Sequence, residues 1–522
     1  MVNLNMSIFS SLLHTIIITL CLIGPVFPAG ITDRPIRVTG IHSDWVWDRM
    51  PALFKQPGGL TSGPDLERLD AFIEDQMRQN RIPGLALAIT QGDRILYLRG
   101  YGNAASNQAV TPQTPFYIGS VSKSFTALAV LQLVEEGAIQ LDAPLQTYIP
   151  WFRVADERLS SAITVRHLLN QTSGLGRGDQ NRDMLPADAT IEEAVRNLQD
   201  IQPSLPPGEM YQYFNANYTI LGLLVEEVSG LSYGEYLQEH IFKPLEMERS
   251  FTDPVAARAA GLAQGHTQML AFPLPRQQPH MNFDIPAGFI MTTAQDMAHY
   301  LIVQGNAGSF EGRPVLSPAW MDEMHQPPDG IDSSYSMGWE SSSIDSIPTI
   351  QHSGGLESFY ARAIVLPEHG YGLAVMINQN GLLNLAIYER ITDDLVRILL
   401  EREPDGGLSL STIYFGIAAV MAIDLGRHVH AFRKLGIWQV WAGGKSTTRK
   451  LLDTGWNLAI SLVVLVGLPA LSMITLGLST TRVLIFYYLP DISLWIALGS
   501  LLCLVRGILK VRIYQEMKGG ND

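Results

Sequence analysis

Hydrophobic positions are unevenly distributed along this chain of 522 residues. They gather at both ends in long uncharged runs, and the stretch between them is patterned like an ordinary water-soluble domain. Residues 8–23 are almost unbroken apolar and lead into Pro25-Val26-Phe27-Pro28-Ala29, which predicts an export signal over residues 1–29. No Lys or Arg precedes residue 8, and Phe27 suits a cleavage site poorly, so an uncleaved N-terminal anchor is the alternative. At the other end, the uncharged runs 406–423 and 454–481 are each long enough to cross a hydrocarbon core at about 1.5 Å rise per residue. A third run, 492–509, is interrupted by Arg506, which near a helix end can extend its charge to the interface. Buried core helices of a soluble protein are the competing reading. Three such runs in succession, however, would leave little polar surface to cover them, so residues 406–522 are expected to form a membrane domain of about three transmembrane helices.

Between the ends, periodicity predicts strands flanking helices. The run 85–90, the polar Gln91-Gly92-Asp93-Arg94 and the run 95–98 have the form of a β-hairpin. Runs 361–366 and 372–378 around Pro367-Glu368-His369-Gly370 read the same way. The sequence between these hairpins is mostly helical in pattern. This predicts an α+β domain over residues 30–405: an antiparallel sheet built from both ends, flanked by helices, with a helical region inserted and a cleft where the parts meet.

Charge follows the same division. From residue 408 onward 11 Lys/Arg stand against 5 Asp/Glu, so the preceding 407 residues carry about −20 of the net −14. So acidic a domain excludes a nucleic-acid partner, whose phosphates require a basic surface. The basic residues Arg427, Arg433, Lys434, Lys445, Arg449 and Lys450 lie between the first two runs, whereas only Arg482 lies between the second and third. Basic loops stay in the cytoplasm, so the middle domain is expected on the outer side of the cell membrane, with the C-terminal segment a multi-pass anchor. His428 and His430 read as polar surface of that loop rather than metal ligands. The two cysteines, Cys21 and Cys503, both fall in apolar end segments, so no disulfide ties the middle domain together. Leu20 and Leu22 around Cys21 argue against a lipoprotein signal.

Three constellations carry candidate chemistry. The first is Gly119-Ser120-Val121-Ser122-Lys123, opening a helix whose positions 125–134 are nearly all apolar. A lysine at the entrance of a buried helix is costly without a purpose. Residues three apart share a helix face, so the Lys123 amine can reach the Ser120 hydroxyl, and burial favours the neutral amine that a base requires. The Ser120 backbone N–H at a helix start is available to an oxyanion. The second is Tyr213-Phe214-Asn215, two polar groups that an extended loop can point into one cleft, a phenol for proton transfer and an amide for a substrate carbonyl. The third is His352-Ser353-Gly354-Gly355 before the second hairpin, where glycines let substrate approach the backbone and the Gly355 N–H can serve as a second oxyanion donor. Alone, each has an ordinary structural reading: a chance Ser-x-x-Lys, a helix start with a core tyrosine, a structural histidine.

Together, in this order and separation, they resemble the serine β-lactamase and penicillin-recognising family, in its class C and esterase-like branch. Its Ser-x-x-Lys, Tyr-x-Asn and Lys/His-x-Gly motifs match Ser120 to Lys123, Tyr213 to Asn215 and His352 to Gly354. Ile82-Pro83-Gly84, His167 to Leu175 and Pro286-Ala287-Gly288-Phe289 match supporting phrases. The resemblance covers roughly residues 65 to 400. It implies an α/β sandwich with a helical domain, acyl-enzyme chemistry on Ser120, and neither metal nor cofactor. His352 stands where class C β-lactamases and many DD-peptidases have lysine, a departure shared with esterases and D-aminopeptidases. The C-terminal anchor is similar to that of exported peptidases that remove an N-acyl-D-amino-acid cap. The expected partners are a small-molecule or peptide substrate, lipid-acylated forms included, and the membrane. Oligomeric state is left open. The competing functions are a β-lactamase, DD-peptidase or esterase of the same fold, a penicillin sensor, or a non-catalytic binding protein. About 30 residues of basic loop between the first two runs are too few for a signalling domain, which disfavours the sensor.

Overall fold

The computed structural model describes residues 64–176, 185–444, 446–467 and 490–519. The expected export signal, with Cys21, lies outside them. The chain divides into two compact units. One is built on the described residues up to 267 and on 273–407; the other takes 268–272 and the helices from residue 408 onward.

The first unit begins with α1 (Leu66–Asn80), where the Asp65 side chain caps the N-terminus by accepting from the Arg68 N–H, and Leu69, Ile73 and Met77 form a buried stripe at four-residue spacing. The main sheet has eight strands: β1 (Gly84–Gln91), β2 (Arg94–Ala105), β3 (Gln108–Ala109), β4 (Tyr335–Ser336), β5 (Trp339–Ile344), β6 (Ile347–Gly355), β7 (Tyr360–Leu366) and β8 (Tyr371–Ile377). Their spatial order is β4-β5-β6-β7-β8-β1-β2-β3, antiparallel throughout. Both expected hairpins are present: Gln91 pairs with Arg94 around Gly92-Asp93, and Leu366 pairs with Tyr371. The join of β8 to β1 brings the two ends of the unit together in the centre of the sheet.

Large and small residues alternate along β1 as Leu85-Ala86-Leu87-Ala88-Ile89, all buried. Such near-continuous apolar runs belong to strands covered on both faces. Ala86, Ala88, Ala363 and Ala374 all lie in the core shared with the inserted helices. Their small size admits close helix packing: a Cβ on Gly372 would stand 3.0 Å from that of Leu301 in α4 (Ala294–Gly305). The inserted region holds α2 (Ser122–Glu135) and α3 (Asn215–Ser229), which pack against each other. Twelve of the 14 residues of α2 are buried, polar Ser122, Lys123, Ser124 and Thr126 included. Helix α5 (Leu382–Leu399) follows the sheet.

In the second unit, α6 (Leu410–Arg433) is followed by α7 (Leu435–Gly443), α8 (Thr447–Leu462) and α9 (Pro490–Gly519). Residues 410–433 and 491–517 are long and apolar enough to cross a membrane. Of the expected middle span at 454–481, residues 468–481 lie outside the described residues. One expectation is corrected here. His428 is not on a solvated loop: α6 continues for 24 residues, and His428 is buried on it, its Nε2 3.6 Å from Asp424 and its Nδ1 3.9 Å from Cys503. Asp424 also accepts from the Trp495 indole N–H at 3.2 Å. The apolar period of residues 410–423 simply extends past the point where charge begins, and the polar groups beyond it find partners on α9.

Candidate active site

Ser120 lies in a 3₁₀ turn, Gly119–Val121, that leads directly into α2. Gly119 has φ +53, a left-handed conformation that favours glycine. Lys123 is fully buried, and its Nζ donates to Ser120 Oγ at 3.1 Å and to the Ala287 carbonyl at 2.6 Å. The same amine lies 4.9 Å from the centre of the Tyr213 ring and 5.8 Å from that of Tyr218. Aromatic faces stabilise a cation without adding a carboxylate that would hold the proton permanently. Ser122 and Ser124, the neighbouring hydroxyls, face away: Ser122 accepts from the Ile290 N–H, and Ser124 donates to the Val121 carbonyl.

Tyr213 precedes α3 on extended backbone. The residue remains partly accessible, but burial of its phenol pushes the pKa above the ordinary tyrosine value, and a hydrogen bond with Ser120 pulls it partly back. Its ring packs edge-on against Tyr335 of β4 at 5.8 Å and tilted against His352 at 6.4 Å. Asn215 is the first residue of α3 and is exposed, so this segment is both expected things at once: a cleft-facing tyrosine and a helix start. The Asn215 amide makes none of the contacts described here.

His352 is buried on β6. Its Nδ1 lies 2.7 Å from the Ser353 carbonyl, which assigns the proton to Nδ1 and leaves Nε2 an acceptor; Nε2 is buried and has no hydrogen-bond partner among the described residues. Burial first, and the Lys123 charge second, hold the imidazole down to about 3, so it is neutral at pH 7. The glycines after it set the closest approach in the site. A Cβ on Gly354 would fall 1.9 Å from the Ile118 carbonyl oxygen and 2.9 Å from the Ser120 nitrogen. One on Gly119 would fall 2.7 Å from the Gly355 nitrogen. The end of β6 therefore lies directly on the Ser120 turn, an approach that the missing side chains of Gly119 and Gly354 allow.

The fold thus assembles Ser120, Lys123, Tyr213, His352, Gly354 and Gly355 from three segments that span more than 230 positions of sequence. Two participants, Tyr335 and Tyr218, carried no sequence signal of their own: they are ordinary aromatics until packed here. Behind Ser353, whose Oγ donates to Glu389 at 2.5 Å, Arg362 pairs with Glu389 at 2.9 Å and Asp393 at 2.8 Å. Gly119 was legible in principle, standing immediately before the serine. Two surface cavities of about 460 and 910 Å³, lined by Arg258 and His280 and by Glu226 and Tyr233, contain none of these residues. Chemistry, not cavity size, marks this site.

The chain is 26% identical over 448 residues to Protein flp of Staphylococcus aureus strain MW2, covering 83% of each chain. It is 30% identical over 324 residues to Penicillin-binding protein 4 of Amycolatopsis lactamdurans, covering 60% of this chain and 84% of that one. The octameric penicillin-binding protein homologue from Pyrococcus abyssi superposes with a TM-score of 0.57 at 27% identity, over 66% of this chain and 79% of that chain. A family model described as Beta-lactamase matches residues 69–396, which contain every residue of the site, and the chain belongs to the beta-lactamase family.

Proposed function

We propose that the protein is a membrane-anchored serine hydrolase that cleaves an amide or ester through an acyl-enzyme on Ser120. The observation that carries this reading is the 3.1 Å contact from the buried Lys123 amine to Ser120 Oγ, on a turn pressed against Gly354 and Gly355. Ser120 Oγ attacks the substrate carbonyl while the neutral form of Lys123, with Tyr213, takes the hydroxyl proton and passes it to the leaving group. Water then attacks the ester carbonyl, the same groups remove its proton, and Ser120 is released. The N–H groups of Ser120 and Gly355 stabilise the oxyanion, a contribution of about 3 to 4 kcal/mol for each donor in such sites. Asn215 holds the substrate amide, and neutral His352 orients it.

The preferred substrate in this reading is an acylated D-amino-acid amide or related peptide. Support comes from neutral His352 in place of a lysine and from the apolar helices beyond residue 408. Phe415, 78% exposed, and Ile423, 66% exposed, point outward from α6 as lipid-facing residues do. A lipid-acylated substrate partitions into a membrane at about 0.8 kcal/mol per buried CH₂ and is concentrated beside an anchored enzyme. A soluble β-lactam gains nothing from the anchor. Reporter fusions after Arg402 and at Lys445 should report opposite sides of the membrane, and equal signals overturn the topology.

The deciding experiment labels the full-length protein with a fluorophosphonate and maps the adduct. It then compares kcat/KM for matched N-acyl-D-amides, L-amides, short esters and a chromogenic cephalosporin in nanodiscs. Label on Ser120, absent in Ser120→Ala, with the D-amide preferred, is the expected result. A cephalosporin or ester favoured by tenfold or more, about 1.4 kcal/mol of transition-state stabilisation, replaces the peptidase reading with a β-lactamase or esterase one.

A further inference from the structure

Outside the main sheet, the strand His266–Met269 pairs with Phe272–Pro275 through the two-residue turn Leu270-Ala271, and on its other side with Gln379–Asn380. This hairpin is not built like a solvent-facing one. No Asp, Glu, Lys or Arg occurs from residue 259 to 275. Leu270, Phe272 and Leu274 are 42%, 58% and 41% exposed, and Phe272 and Leu274, two apart on a strand, share one face. The turn residues Leu270 and Ala271 have φ +48 and +65, a doubly left-handed conformation that such turns usually fill with asparagine and glycine. Leucine and alanine have neither the freedom of glycine nor the local hydrogen bonds of asparagine, so the backbone is strained where the tip is apolar.

Two further observations indicate what covers this surface. The Leu270 N–H donates to the Asp491 carboxylate at 2.9 Å, and Asp491 opens the stretch 491–517, which is long and apolar enough to cross a membrane. Residues 268–272 accordingly group with the C-terminal helices. The turn is held at the end of α9 that the basic-loop pattern predicts to lie on the outer side of the membrane. A second copy of the chain fits less well. Phe272–Pro275 is the outer strand of its sheet, and Pro273 and Pro275 lack the N–H groups that strand addition would use. An exposed apolar surface tied to the start of a membrane-length helix suits the headgroup and acyl boundary of a bilayer.

The root of the hairpin adjoins the segment that follows β6. The His266 N–H donates to the Ser358 carbonyl at 3.4 Å, and His266 Nδ1 lies 3.0 Å from the Asn378 carbonyl. Asn380 Nδ2 donates to the carbonyl of Leu356, the residue after Gly355, at 2.8 Å. We propose that this hairpin is a membrane-contacting element in which Leu270, Phe272 and Leu274 seat in the outer leaflet of a lipid bilayer, while its root ties that contact to the segment after Gly355. The proposal rests on the membrane-anchored reading but not on hydrolysis.

Depth-dependent quenching in the full-length protein tests it. Phe272→Cys, Leu274→Cys, Phe415→Cys and Val255→Cys are each made in a background carrying Cys21→Ala and Cys503→Ala, and labelled with a nitrobenzoxadiazole dye. Each is placed in nanodiscs of phosphatidylethanolamine and phosphatidylglycerol, with or without lipid that bears a nitroxide at the top of its acyl chain. Phe415 reports α6, and Val255, exposed on the helix Pro254–Ala259, is the comparison site. Melting temperatures establish that each variant is folded. Dye on Phe272→Cys and Leu274→Cys should emit at shorter wavelength than on Val255→Cys, and nitroxide should remove at least about half of its intensity. Emission that nitroxide leaves unchanged at either hairpin position overturns the contact. If that emission is also blue-shifted, a protein surface covers the hairpin instead. Equal quenching in Val255→Cys overturns it as well. Quenching at both hairpin positions but not in Phe415→Cys upholds the hairpin contact and sinks the span at α6; quenching in Phe415→Cys alone keeps the anchor and sinks the hairpin. Fluorophosphonate labelling of Ser120 in the same proteins reads the hydrolase separately.

Discussion

Lys123 on α2 and Arg362 on β7 are both buried cations of one unit, at 0% and 4% exposure, yet their surroundings follow opposite rules. Arg362 is enclosed by carboxylates: Glu389 and Asp393 both pair with it, and Gln351 and Thr392 take further N–H groups. Lys123 donates to a hydroxyl and a backbone carbonyl and lies over two tyrosine rings. The first arrangement fixes a charge and, through Glu389 and Ser353, holds β6 in place. The second provides acceptors that serve an ammonium but hold it less firmly than a carboxylate, which is what a group that must give and take a proton requires. A buried charge is thus structural or chemical according to whether its neighbours would let the proton go.

The sharpest way to break this contrast is to remove the reactive pair. Ser120→Ala should lower kcat/KM by about 10⁴-fold, some 5 kcal/mol, and abolish the fluorophosphonate adduct. Lys123→Met should lose at least about 10³-fold yet keep or raise the melting temperature, because an apolar chain of similar length replaces a desolvated cation. Arg362→Met should do the reverse. Stranding Glu389 and Asp393 without their partner should cost about 3 to 5 kcal/mol in denaturant unfolding, with activity falling only as the fold does. If Lys123→Met proved the more destabilising of the two, the contrast would be mistaken.

Smaller effects test the geometry between the clusters. Gly354→Ala forces a methyl group into the Ile118 carbonyl, so it should cost about 1 to 3 kcal/mol of stability and a larger fraction of kcat than of KM, since the Ser120 turn must move. The last effect is electrostatic and is spread over pH. Burial holds both His352 and His325 down to about 3, against 6.5 for an unperturbed histidine, so the unfolded chain binds more protons between these values. The stability they contribute is whole above pH 6.5 and is lost as pH falls toward 3, at up to about 1.4 kcal/mol per pH unit for each. Chemical denaturation at pH 7, 6 and 5 should show this decline, with a shallower slope in His325→Gln. His325 meets Gln304 through Nε2 at 2.8 Å, whereas His352 meets the Ser353 carbonyl through Nδ1.

Much of this molecule was legible from local pattern. The two hairpins at 85–98 and 361–378, the buried helix after Ser120 and the outer helices at each end of the C-terminal segment all rest on periodicities that act within ten or twenty residues. The Ser120–Lys123 contact was legible for the same reason, because a turn running into a helix places residues three apart on one side. His428 was misread because a charge in a sequence pattern looks like the end of a span, whereas Asp424 and Cys503 supply it with partners 4 and 75 positions away. Nothing local announces a partner at that separation.

By itself, then, the sequence determined the two hairpins, the buried helix that the Ser-x-x-Lys motif opens, and that glycines stand at 354 and 355. Only the tertiary structure decided that β6 lies on the Ser120 turn and that, among the described residues, Nε2 of His352 has no hydrogen-bond partner. The reason is physical. Backbone periodicity and apolar patterning act at short range, but desolvation and hydrogen-bond satisfaction depend on which distant surfaces exclude water together, and that is set by the packing of the whole sheet against its helices.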